Sequence, residues 1–206
     1  MSAAPRVFIV DDDEAVRDSL QALLEAKGLT ISAYESAEAF LAAYRPGQTG
    51  CALVDLRMPG MDGMALLEQL RKKGARLPVV MVTGHGDIAL AVKAMKNGAI
   101  DFVEKPYSND AILATVQRAL DVAGSGPQEE LPADAAKRIA ELTPREREVL
   151  ELLVSGKPNK IIAHELGISP RTVEIHRANL MKRMQAGSLS HLVRLALAAG
   201  AGGPAR

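Results

Sequence analysis

Four places in this 206-residue chain put polar groups directly after a short apolar run. Asp11-Asp12-Asp13 follows Val7 to Val10, Asp55 follows Cys51 to Val54, Thr83 follows a run ending at Val82, and Lys105-Pro106 follows Glu104. Carboxylates offer only oxygen donors, which suit Mg2+, a cation that keeps several waters and is commonly completed by phosphate oxygens. Three carboxylates converging with Asp55 would repel one another unless a cation sat among them. Lys105 is a compact donor able to neutralise an incoming phosphoryl oxygen, and the Thr83 hydroxyl is a second donor. The set suits a phosphoryl group on Asp55. A plainer reading stands beside it: Asp55 caps a turn or the helix beginning near Gly63, and the triplet caps a helix, each acid contributing roughly 0.3–1 kcal/mol through the macrodipole. Capping, however, needs one acid.

Groups on four separate segments meet only if the segments share one rim, and the order of elements supplies it. Apolar, β-rich runs alternate with helical patterns: strand 7–10, helix 14–27, strand 29–34, helix 37–44, strand 51–55, helix 64–73, strand 78–82, helix 88–97, strand 99–103 and helix 109–122. Pro59-Gly60 and Asp62-Gly63 break the chain after Asp55, while Gly74 and Gly98 stop helices. Five βα units in this length predict an α/β fold, a parallel sheet with helices on both faces. In such sheets ligands gather at the carboxyl ends of the strands.

The composition, 48% hydrophobic and 24% charged, is that of a folded protein, and no apolar run approaches the ~20 residues that span a bilayer. The opening MSAAPRV has no secretory pattern, so the expected compartment is the cytoplasm, with no membrane partner. Cys51, inside an apolar run, reads as a small core residue rather than a reactive thiol. The zero net charge hides an asymmetry. Residues 1–137 carry 14 Lys+Arg against 19 Asp+Glu, and residues 138–206 carry 11 against 6. An acidic half joined to a basic half points to different partners for each.

The basic half is helical. Gly124-Ser125-Gly126-Pro127 marks a boundary, and 133–142 reads as a short connecting helix. Thr143-Pro144-Arg145-Glu146 is a capping box with proline at the first helical position, opening a helix over 144–155. A short helix over 159–166, a turn at Gly167, and a helix from Pro170 to Met184 capped by Ser169 have the spacing of a helix-turn-helix, with Ala163 and Gly167 at the close crossing. An ordinary helical hairpin is the alternative. Val173, His176, Leu180 and Met184 form the inner stripe, leaving Arg171, Glu174, Ile175, Arg177, Ala178 and Lys182 outward. Arg171, Arg177, Lys182 and Arg183 can neutralise phosphates, and Glu174 can accept from a cytosine amino group. Lys160 and Thr172 are counted with them as DNA contacts.

Asp11/Asp12, Asp55, Thr83 and Lys105-Pro106, with DLRMPGMDG after the acceptor, resemble the receiver domain of two-component response regulators over about residues 5–123. LTPREREVLELLVSGKPNKIIAHELGISPRTVEIHRANLMKRM resembles the DNA-binding domain of the LuxR/NarL class, and the whole chain resembles regulators of the FixJ type. By its resemblance to the LuxR/NarL class of DNA-binding domains, residues 189–199 would form a fourth helix used for dimerising on DNA, and its stripe Leu189, Leu192, Val193 and Ala196 reads equally as domain core alone. The resemblance implies a flavodoxin-like five-stranded parallel (βα)5 sheet of order 2-1-3-4-5, followed by a small all-α helix-turn-helix domain. It implies phosphorylation of Asp55 by a partner histidine kinase, with Mg2+ held by Asp11, Asp12, Asp55 and the backbone carbonyl of Arg57. It further implies that Thr83 moves to bond the phosphoryl oxygen and that Phe102 turns inward behind it; Phe102 is also an ordinary core aromatic for its strand. A cis Lys105-Pro106 bond is expected. Arg57 and His85 are expected to set the lifetime of the phosphorylated state, although His85 reads equally as an exposed loop residue.

By the same resemblance, phosphorylation moves helix 87–97 and creates a homodimer face including Val92 and Lys96, and the dimer acts on promoter DNA and RNA polymerase, as an activator. The expected domains are 1–123 (receiver), 124–142 (partly helical linker), 143–200 (DNA-binding) and 201–206 (disordered tail). Rival classes fit less well. An aspartyl-phosphate phosphatase needs a second Asp two residues after the first, where this chain has Arg57, and only 3% aromatic residues argue against a ligand-sensing pocket. The expected protein is therefore no enzyme beyond Mg-dependent self-phosphorylation and slow autodephosphorylation.

Overall fold

The computed structural model describes residues 6–84, 88–125 and 132–200. These form two compact units, one of residues 1–85 and 97–128, the other of 86–96 and 129–206. His85 and the tail 201–206, each with an expectation attached, lie outside the described residues.

In the first unit, β1 (Arg6–Val10), β2 (Thr30–Tyr34), β3 (Gly50–Asp55), β4 (Val79–Thr83) and β5 (Asp101–Glu104) form one sheet of order β2-β1-β3-β4-β5. Every pairing is parallel, as expected. All six residues of β3 are buried, which explains why its sequence is a continuous apolar run with no alternation: a central parallel strand is covered on both faces. The alternation reappears in what each face meets. Val7, Ile9, Cys51, Leu53, Val80 and Val82 share one cluster with Leu20 and Leu24 of α1 (Glu14–Glu25) and Ile112, Val116 and Ala119 of α5 (Asn109–Ser125). On the other face Phe8 meets Phe40 of α2 (Ala37–Ala43), with ring centroids 5.5 Å apart. The third helix, α3 (Gly63–Lys72), starts at an Asp62 cap and buries Leu66, Leu67 and Leu70.

Asp101, 1% exposed at the start of β5, accepts from Arg118 Nη2 at 2.7 Å and so ties β5 to α5. The last helix of this unit runs on through Gly124 to Ser125, past the expected end at Val122. Gly124 keeps an ordinary negative-φ helical backbone there and caps nothing.

The second unit is all helical in its described residues. It contains α4 (Ile88–Lys96), α6 (Pro132–Ala140), α7 (Pro144–Val154), α8 (Asn159–Leu166), α9 (Pro170–Arg183) and α10 (Leu189–Ala198). The capping box is present: Glu146 accepts the Thr143 backbone N–H at 2.9 Å while its own N–H donates to the Thr143 hydroxyl. Gly167 takes φ +65°, the left-handed conformation that lets α8 end and α9 begin after a single tight turn. One core gathers Val149, Leu150, Leu153, Ile162, Ala163, Val173, Leu180, Met184, Leu192 and Leu195. The helix expected only as a connector, α6, buries Ala135 in that same core, and Arg138 donates to the Met184 carbonyl at 3.1 Å.

Candidate functional site

Strand register brings the polar groups of the first unit together. Val10 pairs with Val54, Asp55 with Val82, and Thr83 with Glu104. Asp11, Asp55, Thr83 and Lys105 therefore emerge side by side at the carboxyl ends of four adjacent strands, where the strand order reverses.

Within the pocket the Lys105 ammonium bridges two carboxylates, with Nζ 2.9 Å from Asp11 Oδ2 and 2.8 Å from Asp55 Oδ1. The other two oxygens accept backbone N–H groups: Asp11 Oδ1 from Asp13 at 2.9 Å, and Asp55 Oδ2 from Arg57 at 2.8 Å. Both acids are nearly sealed, Asp11 at 2% exposure and Asp55 at 7%. Burial raises the Asp55 carboxyl above its ordinary range, and the Asp11 charge adds to that, outweighing the lowering effect of Lys105 and the Arg57 N–H. Burial works against the Lys105 charge too, yet bonds from Asp55 and Asp11 more than compensate and push it up to about 12. A carboxylate made more basic by burial thus lies against a firmly cationic lysine, a pairing fit for attack on an electrophilic phosphorus and for holding the group that results. The Lys105-Pro106 bond is cis.

The structure corrects the expectation that the acid triplet converges on Asp55. Of the three, Asp11 is buried against Lys105, and Asp13 does not join it. Asp13 caps α1, accepting from Ala15 at 2.9 Å and Val16 at 3.4 Å, and Asp12 is exposed. Unpaired N–H groups in the first turn of α1 claim the Asp13 carboxylate, as they do at any helix start. Among the described residues no three His, Cys, Asp or Glu side chains close into a metal cluster. Even so, Asp11, Asp12, Asp55 and the Arg57 carbonyl are oxygen donors alone, and the four carboxylate oxygens of Asp11 and Asp55 each keep a lone pair beyond the bond described. That donor set fits Mg2+, which needs few protein ligands because it retains water.

Thr83 is 1% exposed and its hydroxyl donates to the Gly84 carbonyl at 3.0 Å, so it lies at the rim without bonding Asp55. Phe102 is buried, at 6% exposure. Two residues that sequence reasoning left out also support the pocket. A Cβ on Gly63 would overlap the Asp55 carbonyl oxygen, so only glycine admits this approach of α3 to the end of β3. Arg17 holds the carbonyls of Asp11 and Asp12. The Asp62-Gly63 dipeptide was legible only as a turn, and Arg17 only as a charge on a solvated helix face.

On α9, Arg171, Glu174, Ile175, Ala178 and Lys182 form one exposed stripe, with Ile175 at 55% exposure, opposite the buried Val173, Leu180 and Met184. Lys160 is exposed at the start of α8. Three of the residues expected to contact DNA also make bonds within the unit. The Thr172 hydroxyl lies 2.9 Å from Ser169 Oγ within the α9 cap, Arg177 donates to Asn159 Oδ1 at 2.7 Å, and Arg183 pairs with Glu146 at 3.1 Å. A helix N-cap and two crossing helices recruit these groups as internal ties, which helical spacing alone does not reveal. Leu192 and Ala196 of α10 belong to the core and Leu189 packs against it, while Val92 is 2% exposed and Lys96 is exposed.

An acidic rim neutralised by a lysine at the strand ends of a doubly wound sheet, and a helix-turn-helix with an exposed stripe bearing Arg171 and Lys182, define a regulator with a receiver and a DNA-binding domain. Residues 7–117 match the response regulator receiver domain, and residues 140–196 match the bacterial regulatory proteins of the luxR family. The chain is 53% identical over 195 residues to the transcriptional regulatory protein FixJ of Azorhizobium caulinodans, covering 94% of this chain and 92% of that one. It is 47% identical to FixJ of Bradyrhizobium diazoefficiens, over 97% and 98% of the two chains. Full-length FixJ from B. japonicum is a structural neighbour at TM-score 0.57 and 46% identity, covering 97% of this chain and 98% of that one. The response regulator StyR gives TM-score 0.58 at 42% identity over 95% and 99%. The chain belongs to the FixJ-like response regulators, transcriptional regulators of two-component systems. Membership implies a histidine kinase partner and DNA binding, and places the protein among transcription factors rather than classical enzymes. Receiver domains generally bind Mg2+ at the phosphorylation site. Among the described residues no helix is long and apolar enough to cross a membrane.

Proposed function

We propose that Asp55 is the phosphoacceptor, and the observation that carries the reading is the Lys105 ammonium bridging buried Asp11 and Asp55 at adjacent strand ends. An Asp55 carboxylate oxygen attacks the phosphorus of a phosphohistidine or small acyl phosphate, forming the Asp55–phosphoryl bond as the bond from phosphorus to the donor breaks. Asp11, Asp12, Asp55 and the Arg57 carbonyl would hold Mg2+, which when bound would supply charge neutralisation at the phosphoryl group. Lys105 binds one of those oxygens, and Thr83, released from Gly84, donates to another. The new group brings roughly two negative charges and three acceptor oxygens, so the Thr83 shift is driven by charge and draws Phe102 with it. Arg57 at the mouth screens the acyl phosphate and sets its slow hydrolysis.

Phosphorylation then moves α4, uncovers Val92, which is 2% exposed here, and favours a homodimer through the face that carries Val92 and Lys96. Two recognition helices meet half-sites about one helical turn apart. Arg171, Lys182 and Lys160 contact phosphates, and Glu174, Ile175 and Ala178 face base edges; an exposed isoleucine suits a thymine methyl. The bound dimer acts in the cytoplasm on RNA polymerase, as an activator. The test is Asp55→Asn. With acetyl phosphate and Mg2+, the wild type gains one phosphoryl mass on Asp55 and elutes as a dimer, and the variant does neither while keeping its circular dichroism spectrum. A variant that is still phosphorylated, or still dimerises on acetyl phosphate, refutes the assignment.

A further inference from the structure

The strand-to-helix reversal after β1 leaves two carbonyls without a regular partner. Val10 is the last paired residue of the strand, and the helical pattern begins with the Arg17 N–H donating to the Asp13 carbonyl. The carbonyls of Asp11 and Asp12 fall between the two. Arg17, half-buried one turn into α1, supplies the partner: its Nη1 donates to Asp11 O at 2.8 Å and to Asp12 O at 2.9 Å. We infer that Arg17 is a positioning residue for the acidic loop, fixing the peptide planes of Asp11 and Asp12 so that their carboxylates are set for the cation. This inference rests on the reading of Asp11 and Asp12 as Mg2+ ligands.

The choice of partner is what gives the arrangement its consequence. A guanidinium beside two carboxylates has a bidentate salt bridge open to it, the pairing arginine forms most readily. Here it is spent on backbone oxygens, and Arg17 has no ion pair among the described residues. The Asp11 oxygens go to Asp13 and Lys105 instead, and the Asp12 carboxylate is left exposed. The arginine therefore orders the loop without taking up the oxygens that a metal would use. Two effects oppose each other. Ordering by an outer partner of a metal site is commonly worth about 10–100-fold in affinity. A nearby positive charge, partly open to screening solvent, works against the cation, by about a few-fold. Ordering therefore wins, by about tenfold.

The experiment uses the full chain as wild type, Arg17→Ala and Arg17→Gln, each checked by circular dichroism. Mg2+ is titrated calorimetrically at fixed ionic strength, and amide hydrogen exchange over residues 11–16 is followed in the metal-free proteins. Arg17→Ala should bind Mg2+ about tenfold more weakly and exchange faster at Asp12 to Glu14. Arg17→Gln, which keeps an N–H donor without the charge, should fall between the two, and it decides the matter if the alanine variant is poorly folded. Equal or tighter Mg2+ binding by a folded Arg17 variant, or unchanged exchange over the loop, overturns the inference and leaves the metal site standing. Failure of the wild type to bind Mg2+ overturns the metal-site reading itself, and the inference with it.

Discussion

Replacing Glu146 with alanine should destabilise the DNA-binding unit by about 2–3 kcal/mol while leaving the first unit's acidic rim intact. The residue is 3% exposed. One oxygen accepts from the Thr143 backbone N–H and hydroxyl, both at 2.9 Å, and the other meets Arg183 Nε at 3.1 Å, so a single carboxylate joins the start of α7 to the end of α9. Loss of the reciprocal cap costs about 1 kcal/mol. Bonds to a charged acceptor are each worth roughly 1.5–3 kcal/mol, but Thr143 and the half-exposed Arg183 can turn to water, which limits the further loss to about 1–2 kcal/mol. The total, about 2–3 kcal/mol, compares with a stability of roughly 4–10 kcal/mol expected for a domain of this size.

The same carboxylate has a pH signature. Burial acts to raise it, but the two Thr143 bonds, followed by Arg183 and His176, hold it below its ordinary value of 4.5. A depressed acid stabilises the fold above that value and loses the contribution as pH falls through the folded-state value. The stability gap between wild type and Glu146→Gln should therefore be full at pH 7 and close below about pH 4.5. Urea melts followed by circular dichroism from pH 3.5 to 7.5 measure both effects. An alanine variant within about 0.5 kcal/mol of wild type, or a wild-type-to-glutamine gap that ignores pH, refutes the account of this anchor.

Gly63→Ala should lower the rate of Asp55 phosphorylation by acetyl phosphate and destabilise the first unit by about 1–3 kcal/mol, because the added methyl overlaps the Asp55 carbonyl; an unchanged rate shows that α3 yields without moving the acceptor. Arg171→Ala and Lys182→Ala should each weaken DNA binding across sequences and reduce the slope of log affinity against log salt by about one, whereas Ile175→Ala should act mainly on sequence preference. A salt slope unaltered in either cationic variant removes that residue from the phosphate contacts.

The βα alternation and the all-helical second half were legible because they rest on local patterns. Apolar runs such as Cys51 to Val54 declare buried parallel strands, and Thr143 to Glu146 declares a helix start through bonds made within one turn. The four-part rim was legible for a related reason: in a parallel sheet every strand ends on the same edge, so groups that follow strands are brought to one place by topology. The proposal of phosphoryl chemistry on Asp55 rests on the residue types at those ends.

Tertiary structure alone divided the acid triplet, because a helix start and the buried Lys105 ammonium compete for the same carboxylates and the peptide planes after Val10 decide which side chain goes where. It also decided that Arg177 and Arg183 serve as ties to Asn159 and Glu146, and that Gly63 and Arg17 support the pocket. Each of these depends on the direction of a side chain or carbonyl at a meeting of two elements. A periodic pattern records which face of an element is apolar, and that is enough for the fold and the rim. It does not record which neighbour a polar group on that face will reach, which is fixed only once the elements pack.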